Sequence, residues 1–257
     1  MTFNIQHGIN GANKYDLSSA VDAIARINPD LVGVQELTRN HATYNCDDQP
    51  ARIAEQLSAR TGRQWHFVYQ QEWFTFNREC VNAGRGDGVE TEGLAFFSPE
   101  PIVSTVWTQV WNGRIGLLAP VRRGRDVPVI VTHLAHGTQG HSDRMRQLDS
   151  LLPWTGTAAG SGPRVFIGDF NFSPGTPEYQ RLRAEYRDAW EDAVAAGTAR
   201  GIADGITHKS SRIDFIFYSP SSVLELLWVE TVDARSLFGS EPSDHRPVVA
   251  AFAVNNR

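Results

Sequence analysis

Residues 164–171, RVFIGDFN, decide the fold. Val165, Phe166 and Ile167 form an apolar run with no polar residue to mark a wet face, which predicts a buried strand. Asp169 and Asn171 stand at its exit on either side of Phe170, with Ser173, Pro174 and Gly175 behind them to end it. One carboxylate at a strand end is ordinarily a turn or capping residue. The reading changes if other strands of the chain end in the same way.

They do. Asn4 lies in the opening strand-like stretch MTFNIQ, and Glu36 ends the apolar stretch DLVGVQEL. Glu92 opens ETEGLAFF, and His133 closes VIVTH. Asp214 sits within RIDFIF, and Ser243, Asp244 and His245 precede the final apolar run PVVAAFAV. Each is an acid, an amide or an imidazole bordering an apolar strand. If the strand ends gather on one side, these groups share one cleft. A cluster rich in carboxylates and free of thiolates suits a hard divalent cation, Mg²⁺ or Mn²⁺ with Ca²⁺ as a further candidate. A neighbouring Asp–His pair supplies a base.

The elements between these points alternate irregularly. Helical spacing of Leu17, Ala20, Val21, Ile24 and Ile27 behind Asp16 predicts a capped helix over 17–27. Helices are also predicted at 50–61, 141–152 and in pieces over 177–196. Further strands are predicted at 65–70, 93–98, 101–110, 114–120, 127–135, 212–219 and 223–232, and a long loop over 71–91. This is neither strict βα alternation nor a meander. Two sheets packed face to face with helices outside accommodate it. No linker divides the chain, so residues 1–257 are read as one domain. With 257 residues, 41% hydrophobic and 21% charged, it can bury a large core. The net charge of −5 disfavours a stoichiometric nucleic-acid binder without excluding an enzyme that touches phosphate briefly.

Taken in order, TFNI, QE, THL, GDFN, RIDFIF and SDHRPV resemble the endonuclease/exonuclease/phosphatase superfamily, which includes deoxyribonuclease I, exonuclease III, neutral sphingomyelinases and inositol polyphosphate 5-phosphatases. The resemblance runs over essentially the whole chain. It implies a four-layer α/β sandwich with two mixed sheets inside. It also implies roles residue by residue. Glu36 is the principal metal carboxylate, Asn4 is its metal-side neighbour that orients Glu36 or the metal-bound water, and Asp244 is a second metal-side group. Asp169 orients or activates water. Asn171 and His133 donate to phosphate, and His245, partnered by Asp214, is the base or a phosphate contact. Glu92 falls where deoxyribonuclease I has a Glu paired with the His at the position of His133. The alternative for Glu92 is a solvated turn residue.

The implied activity is metal-dependent hydrolysis of a phosphodiester, phospholipid-like or otherwise small, by in-line attack of water. A deoxyribonuclease I-like nuclease, with nucleic acid as substrate, is the alternative, and a non-catalytic binding module on the same scaffold is the third reading. No obligate protein partner is legible.

His7 is either a substrate contact or a loop residue. Trp73, Phe74 and Phe76 are either core packing or a peripheral membrane or substrate-gripping loop. Arg78, Arg85, Arg122, Arg123 and Arg125 are either a phosphate-guiding set or scattered solvated charge. His136 and His141 are expected at the surface, and Arg144 and Gln147 are expected to brace the cleft. Cys46 and Cys80 lie in loop-like surroundings, as two free thiols or as a disulfide that implies an oxidising compartment. A strand directly after Met1 fits a trimmed secreted or periplasmic protein. Secretion with a Cys46–Cys80 disulfide is therefore expected, and a cytoplasmic location is the alternative.

Overall fold

The computed structural model describes residues 1–122, 126–137, 140–160 and 162–255. In chain order its strands are β1 (Thr2–Asn4), β2 (Val32–Arg39), β3 (His66–Phe76), β4 (Val89–Ser98), β5 (Val106–Gln109), β6 (Ile115–Arg122), β7 (Asp126–His133), β8 (Val165–Asp169), β9 (Arg187–Asp188), β10 (Ala199–Gly201), β11 (Asp214–Tyr218), β12 (Leu224–Thr231) and β13 (Val248–Val254). The helices are α1 (Leu17–Ile27), α2 (Gln49–Thr61), α3 (Glu79–Asn82), α4 (Gly140–Ala159), α5 (Pro177–Arg183), α6 (Ala189–Ala196) and α7 (Ala234–Phe238).

The strands form two mixed sheets, ordered β10-β12-β13-β1-β2-β4-β3 and β5-β6-β7-β8-β11-β9. Side-chain alternation explains their stacking. Along β4, Leu94 and Phe96 face the second sheet among Val131, Ile167 and Ile216. Ala95 and Phe97 face the other way, against Ile24 of α1 and Ile53 and Leu57 of α2. On the far side of the second sheet, Phe166, Phe215 and Phe217 pack under Leu148, Leu151 and Leu152 of α4 and Tyr179 of α5. The result is helix, sheet, sheet, helix: the four-layer sandwich expected from the motifs. Phe170 turns back into the outer aromatic layer, edge-on to Phe166, Phe215 and Phe217. That burial leaves its neighbours Asp169 and Asn171 facing the other way.

The region 71–91, predicted as a loop, is largely structured. β3 runs on to Phe76, a short helix follows, and β4 begins at Val89. The charge-rich composition concealed this because a register shift between Gln71 and Trp73 breaks the alternation. Trp73 lies opposite Glu92, and Phe74 opposite Thr91, on successive and therefore opposed sides of the ribbon. The two aromatics thus do different things. Phe74 meets Phe76 edge to face in the open, where Phe76 is 80% exposed. α4 also outruns its expectation, continuing through Pro153 to Ala159, and the short β9, β10 and α7 carried too little periodicity to be read.

Among the Arg set, Arg85 is bound to Asp47 and Arg122 to Asp126, while Arg123 and Arg125 lie outside the described residues. Among the described residues, no helix is long and apolar enough to cross a membrane.

A disulfide joins Cys46 to Cys80 across 34 residues. It fastens the loop after β2 to α3, and Asp47 beside it gathers Tyr15, Arg52 and Arg85. Closing a loop of that length restricts the unfolded chain by roughly 3–4 kcal/mol. Replacing both cysteines by serine should lower urea-unfolding stability by about that amount. Unchanged stability would show that the bridge constrains nothing the unfolded chain explores.

Candidate active site

Two short rows of polar side chains, one from each sheet, meet at the same end of the sandwich. In the second sheet, β7, β8 and β11 are neighbours, and strand register sets His133 and Asp214 each directly beside Asp169. The approach of β8 to β7 needs Gly168. Its φ is 151°, and a Cβ there would lie 2.1 Å from the Thr132 carbonyl oxygen. In the first sheet, Asn4 on β1 pairs with Gln35 on β2, beside Glu36.

Alternation in an unbroken strand would send Glu36 toward the helices with Val32 and Val34. Instead the register slips between Val34 and Leu37, and Glu36 takes a left-handed φ of 58°. This bulge redirects the carboxylate into the cleft.

Asn4 joins the two rows. Its Nδ2 donates to Glu36 Oε1 at 2.9 Å and to Asp169 Oδ2 at 3.1 Å. Its Oδ1 accepts from the Gln6 backbone N–H at 3.0 Å. Two carboxylates and one N–H donor leave a single sensible orientation of the amide. Asn4 therefore presents nitrogen to the carboxylates and spends its oxygen on backbone. Of the two roles that the resemblance implies for Asn4, orienting Glu36 or a metal-bound water, this geometry suits the first, because the amide nitrogen holds Glu36 and Asp169.

His245 Nδ1 lies 2.8 Å from Asp214 Oδ2, and its Nε2 is 3.8 Å from Asp169 Oδ2. Thr207 Oγ1 accepts from the backbone N–H of Ile213 and of Asp214, fixing the strand entry. Burial works against a charged His245, but the Asp214 carboxylate, by charge and hydrogen bond, outweighs it and raises the ring to about 10. His208, which sequence reading passed over, stacks on His245 at 4.5 Å and reaches Asp244 at 3.4 Å. Asp244 thus groups with His208 and His245, while Glu36 groups with His133 and Asp169.

His133 is held differently from expectation. The partner at its Nδ1 is Arg114, at 3.1 Å, and Glu92 instead lies 3.7 Å from His7. A guanidinium only donates, so Nδ1 accepts and the proton sits on Nε2. Burial and then the charge of Arg114 push the ring well below its ordinary pKa, so it is a neutral donor. Its Nε2 lies 3.5 Å from Asp169 and 3.9 Å from Glu36. Arg114 in turn donates to the buried Glu72 at 3.0 Å. Arg114 opens the apolar run of β6 and was recognisable by the same pattern as the other residues, whereas Glu72 was hidden in the supposed loop. His7 stands 3.4 Å from Glu36 and stacks on Tyr44.

Asn171, at φ 54°, gives its backbone N–H to Asp169 Oδ1 at 3.0 Å and one amide N–H to the Leu134 carbonyl at 3.1 Å. Below this, Gln147 receives the Ala135 N–H and Arg144 donates to the Ala135 carbonyl, so both brace the segment after His133. His141 is tied to Glu178, and His136 is exposed.

The cluster is short of positive charge. Burial, then Asp214 and Glu36, raise Asp169 to about 7, and burial, then Glu36 and Glu72, raise Glu92 to about 7. Donor atoms of Glu36, Asp169 and His133 lie within 4.8 Å of one another. Crowded oxygen donors of this kind fit a hard divalent cation. By contrast, an apolar cavity of about 530 Å³ at the opposite end of the same strands, lined by Val129, Val165, Ile167 and Phe252, contains no such cluster.

The endonuclease/exonuclease/phosphatase family model matches residues 1–245, and the chain belongs to that family. Among solved structures it superposes on an endonuclease/exonuclease/phosphatase from Beutenbergia cavernae DSM 12333, with TM-score 0.72 and 22% identity over 99% of this chain and 70% of that one. It also superposes on the human Nocturnin catalytic domain with bound sulfate, at TM-score 0.71 and 20% identity over 98% and 91%. A Bacteroides thetaiotaomicron mannosyl-6-phosphatase superposes at TM-score 0.66 and 17% identity over 98% of each chain. No curated protein matches the chain in sequence. Members of the family are phosphoester hydrolases that generally use divalent metals.

Two outcomes follow. Removing one partner of a largely buried ion pair strands the other, so Arg114→Met should cost about 3 kcal/mol in stability. Adding Glu72→Met should recover most of that loss in urea unfolding, and additive losses would contradict the pairing. For His245, raised from an ordinary 6.5 to about 10, the stability contribution is complete below pH 6.5 and is lost as pH rises through 10. In EDTA-treated protein, the stability advantage of wild type over Asp214→Asn should shrink across that window. An advantage independent of pH would mean that the two groups are not coupled.

Proposed function

We propose that the protein hydrolyses a small phosphodiester by in-line attack of water, with a divalent cation held at Glu36. The observation that carries this reading is the Asn4 amide, which bridges Glu36 and Asp169 across the two sheets. It builds one cleft from groups that would otherwise belong to separate surfaces. A bound cation would neutralise phosphoryl charge and steady the leaving oxygen, and Glu36, with Asp169 and His133 beside it, is the group placed to hold it.

The remaining work falls to the side chains. Asp169, near neutral in pKa, accepts a proton from the attacking water at Oδ2. As that water's oxygen bonds to phosphorus, the bond to the departing oxygen breaks, and the departing oxygen takes a proton from bulk water and leaves as an alcohol, while Asp169 returns its own proton to solvent. His133 donates from Nε2 and His245 donates as an imidazolium, both toward equatorial oxygens, where donors aimed at developing charge are most effective. Asn171 offers its amide to the same group. Asp214 holds His245 in its donating orientation.

The acidic surroundings favour a singly charged diester over a doubly charged monoester. A net charge of −5 likewise argues for a small substrate over a long polyanion. The disulfide supports action outside the cytoplasm. Exposed Phe74 and Phe76 suit contact with a membrane surface, whereas Trp73 faces the cleft side.

Chelation with EDTA and Glu36→Ala should each abolish turnover of bis-p-nitrophenyl phosphate in Mg²⁺ or Mn²⁺; full activity after metal removal would sink the proposal. Asp214→Asn and His245→Ala should each lower kcat/KM by about 10²–10⁴-fold with the circular dichroism spectrum unchanged. The double variant should be little worse than either single one. Strictly multiplicative losses would show two independent groups.

A further inference from the structure

A small pocket of about 280 Å³ adjoins the catalytic groups, lined by Trp73, Asn112, Arg114, His136 and Asp143. Arg114 belongs to both places, since it also donates to His133. Ala135 on the pocket wall lies two residues beyond His133. An ester group on a phosphate beside His133 and Asp169 would therefore extend into this space.

Its walls are of two kinds. Trp73 is 39% exposed, a large indole left uncovered at the mouth of an otherwise polar recess. Facing it is a built polar wall. Trp111 Nε1 donates to Asp143 Oδ1 at 2.8 Å, and Asn112 Nδ2 lies 3.4 Å from Asp143 Oδ2. Asn112 and Gly113 both take left-handed backbone, with φ of 59° and 77°. Asn adopts that conformation more readily than most residues, and the turn places Asn112 and Gly113 on the pocket lining. Arg146 lies over the Trp111 ring at 4.5 Å, which helps to hold the indole that donates to Asp143.

We infer that this pocket binds a single hexopyranose ring carried by the phosphoester, with Trp73 as the stacking face and Asn112 and Asp143 as partners for ring hydroxyls. This rests on the phosphoesterase reading and names its substrate class. An aromatic plate suits the C–H face of a pyranose, and a carboxylate with an amide supplies both acceptors and donors for adjacent hydroxyls. The volume lies at the lower edge of ligand pockets, which suits one ring. A strand of nucleic acid calls for a basic groove with successive stacking faces, whereas this recess sets Asp143 against Arg114 and offers a single indole, that of Trp73.

The test uses three diesters that share a p-nitrophenyl leaving group and differ in the second ester: methyl, thymidine 5′ and glucose 6. Wild-type protein with Mg²⁺ should turn over the glucose ester with a kcat/KM at least tenfold above the methyl ester and above the thymidine ester. Trp73→Ala, and separately Asn112→Ala, should each shrink the glucose-to-methyl ratio about tenfold, mainly through KM. If none of the three is hydrolysed, the phosphoesterase reading itself fails. If all are hydrolysed but the glucose ester has no advantage, or the thymidine ester leads, the sugar assignment is overturned. A ratio unmoved by both variants, with folding confirmed by circular dichroism, overturns the assignment of this pocket.

Discussion

The site depends on one amide. Asn4 Nδ2 is the hydrogen-bond donor shared by Glu36 from one sheet and Asp169 from the other. Charge-assisted bonds of this kind contribute about 1.5–3 kcal/mol each. Their larger consequence is geometric. Two carboxylates that repel one another are held side by side at the end of a dry core, with their remaining lone pairs toward the cleft. The crowding appears in Asp169, whose carboxyl is raised to about 7 by burial and by its acidic neighbours.

Several local irregularities serve that bond. The bulge at Glu36 turns a helix-facing position into a cleft-facing one. Gly168 lets β8 close on β7, so that Asp169 stands level with His133. Phe170 anchors the chain between Asp169 and Asn171 by burying itself among Phe166, Phe215 and Phe217. Around this frame the two histidines are set to opposite states by their neighbours. Burial, reinforced by the charge of Arg114, keeps His133 neutral, while Asp214 overcomes burial to keep His245 charged. One environment thus sets a neutral imidazole and an imidazolium on either side of Asp169.

Much of this was legible in the residues. Apolar runs such as Val165–Ile167 marked buried strands, and the polar residue ending each run marked the site edge. The four layers followed from strands too irregular for βα repetition, and the ordered motifs indicated the family. What escaped notice escaped for physical reasons. Glu72 lies on a strand whose alternation is broken by a register shift, so it read as loop. Arg114 stood at the head of an apolar run like the other site residues, but its contact with His133 is made across neighbouring strands, which no spacing in the chain announces. Whether Asn4 orients Glu36 or a metal-bound water was open in the sequence, because only coordinates show its oxygen occupied by Gln6. The short β9, β10 and α7 owe their existence to tertiary packing and not to propensity.

The most direct measurement is anomalous diffraction at the manganese edge from crystals soaked in Mn²⁺. If Asn4 positions Glu36 and Asp169 around a cation, one strong peak is expected within coordination distance of Glu36, and Asn4→Ala should abolish or displace it. A peak confined to His208, Asp244 and His245, or no peak beside Glu36 at saturating Mn²⁺, would contradict the arrangement on which the proposed chemistry rests.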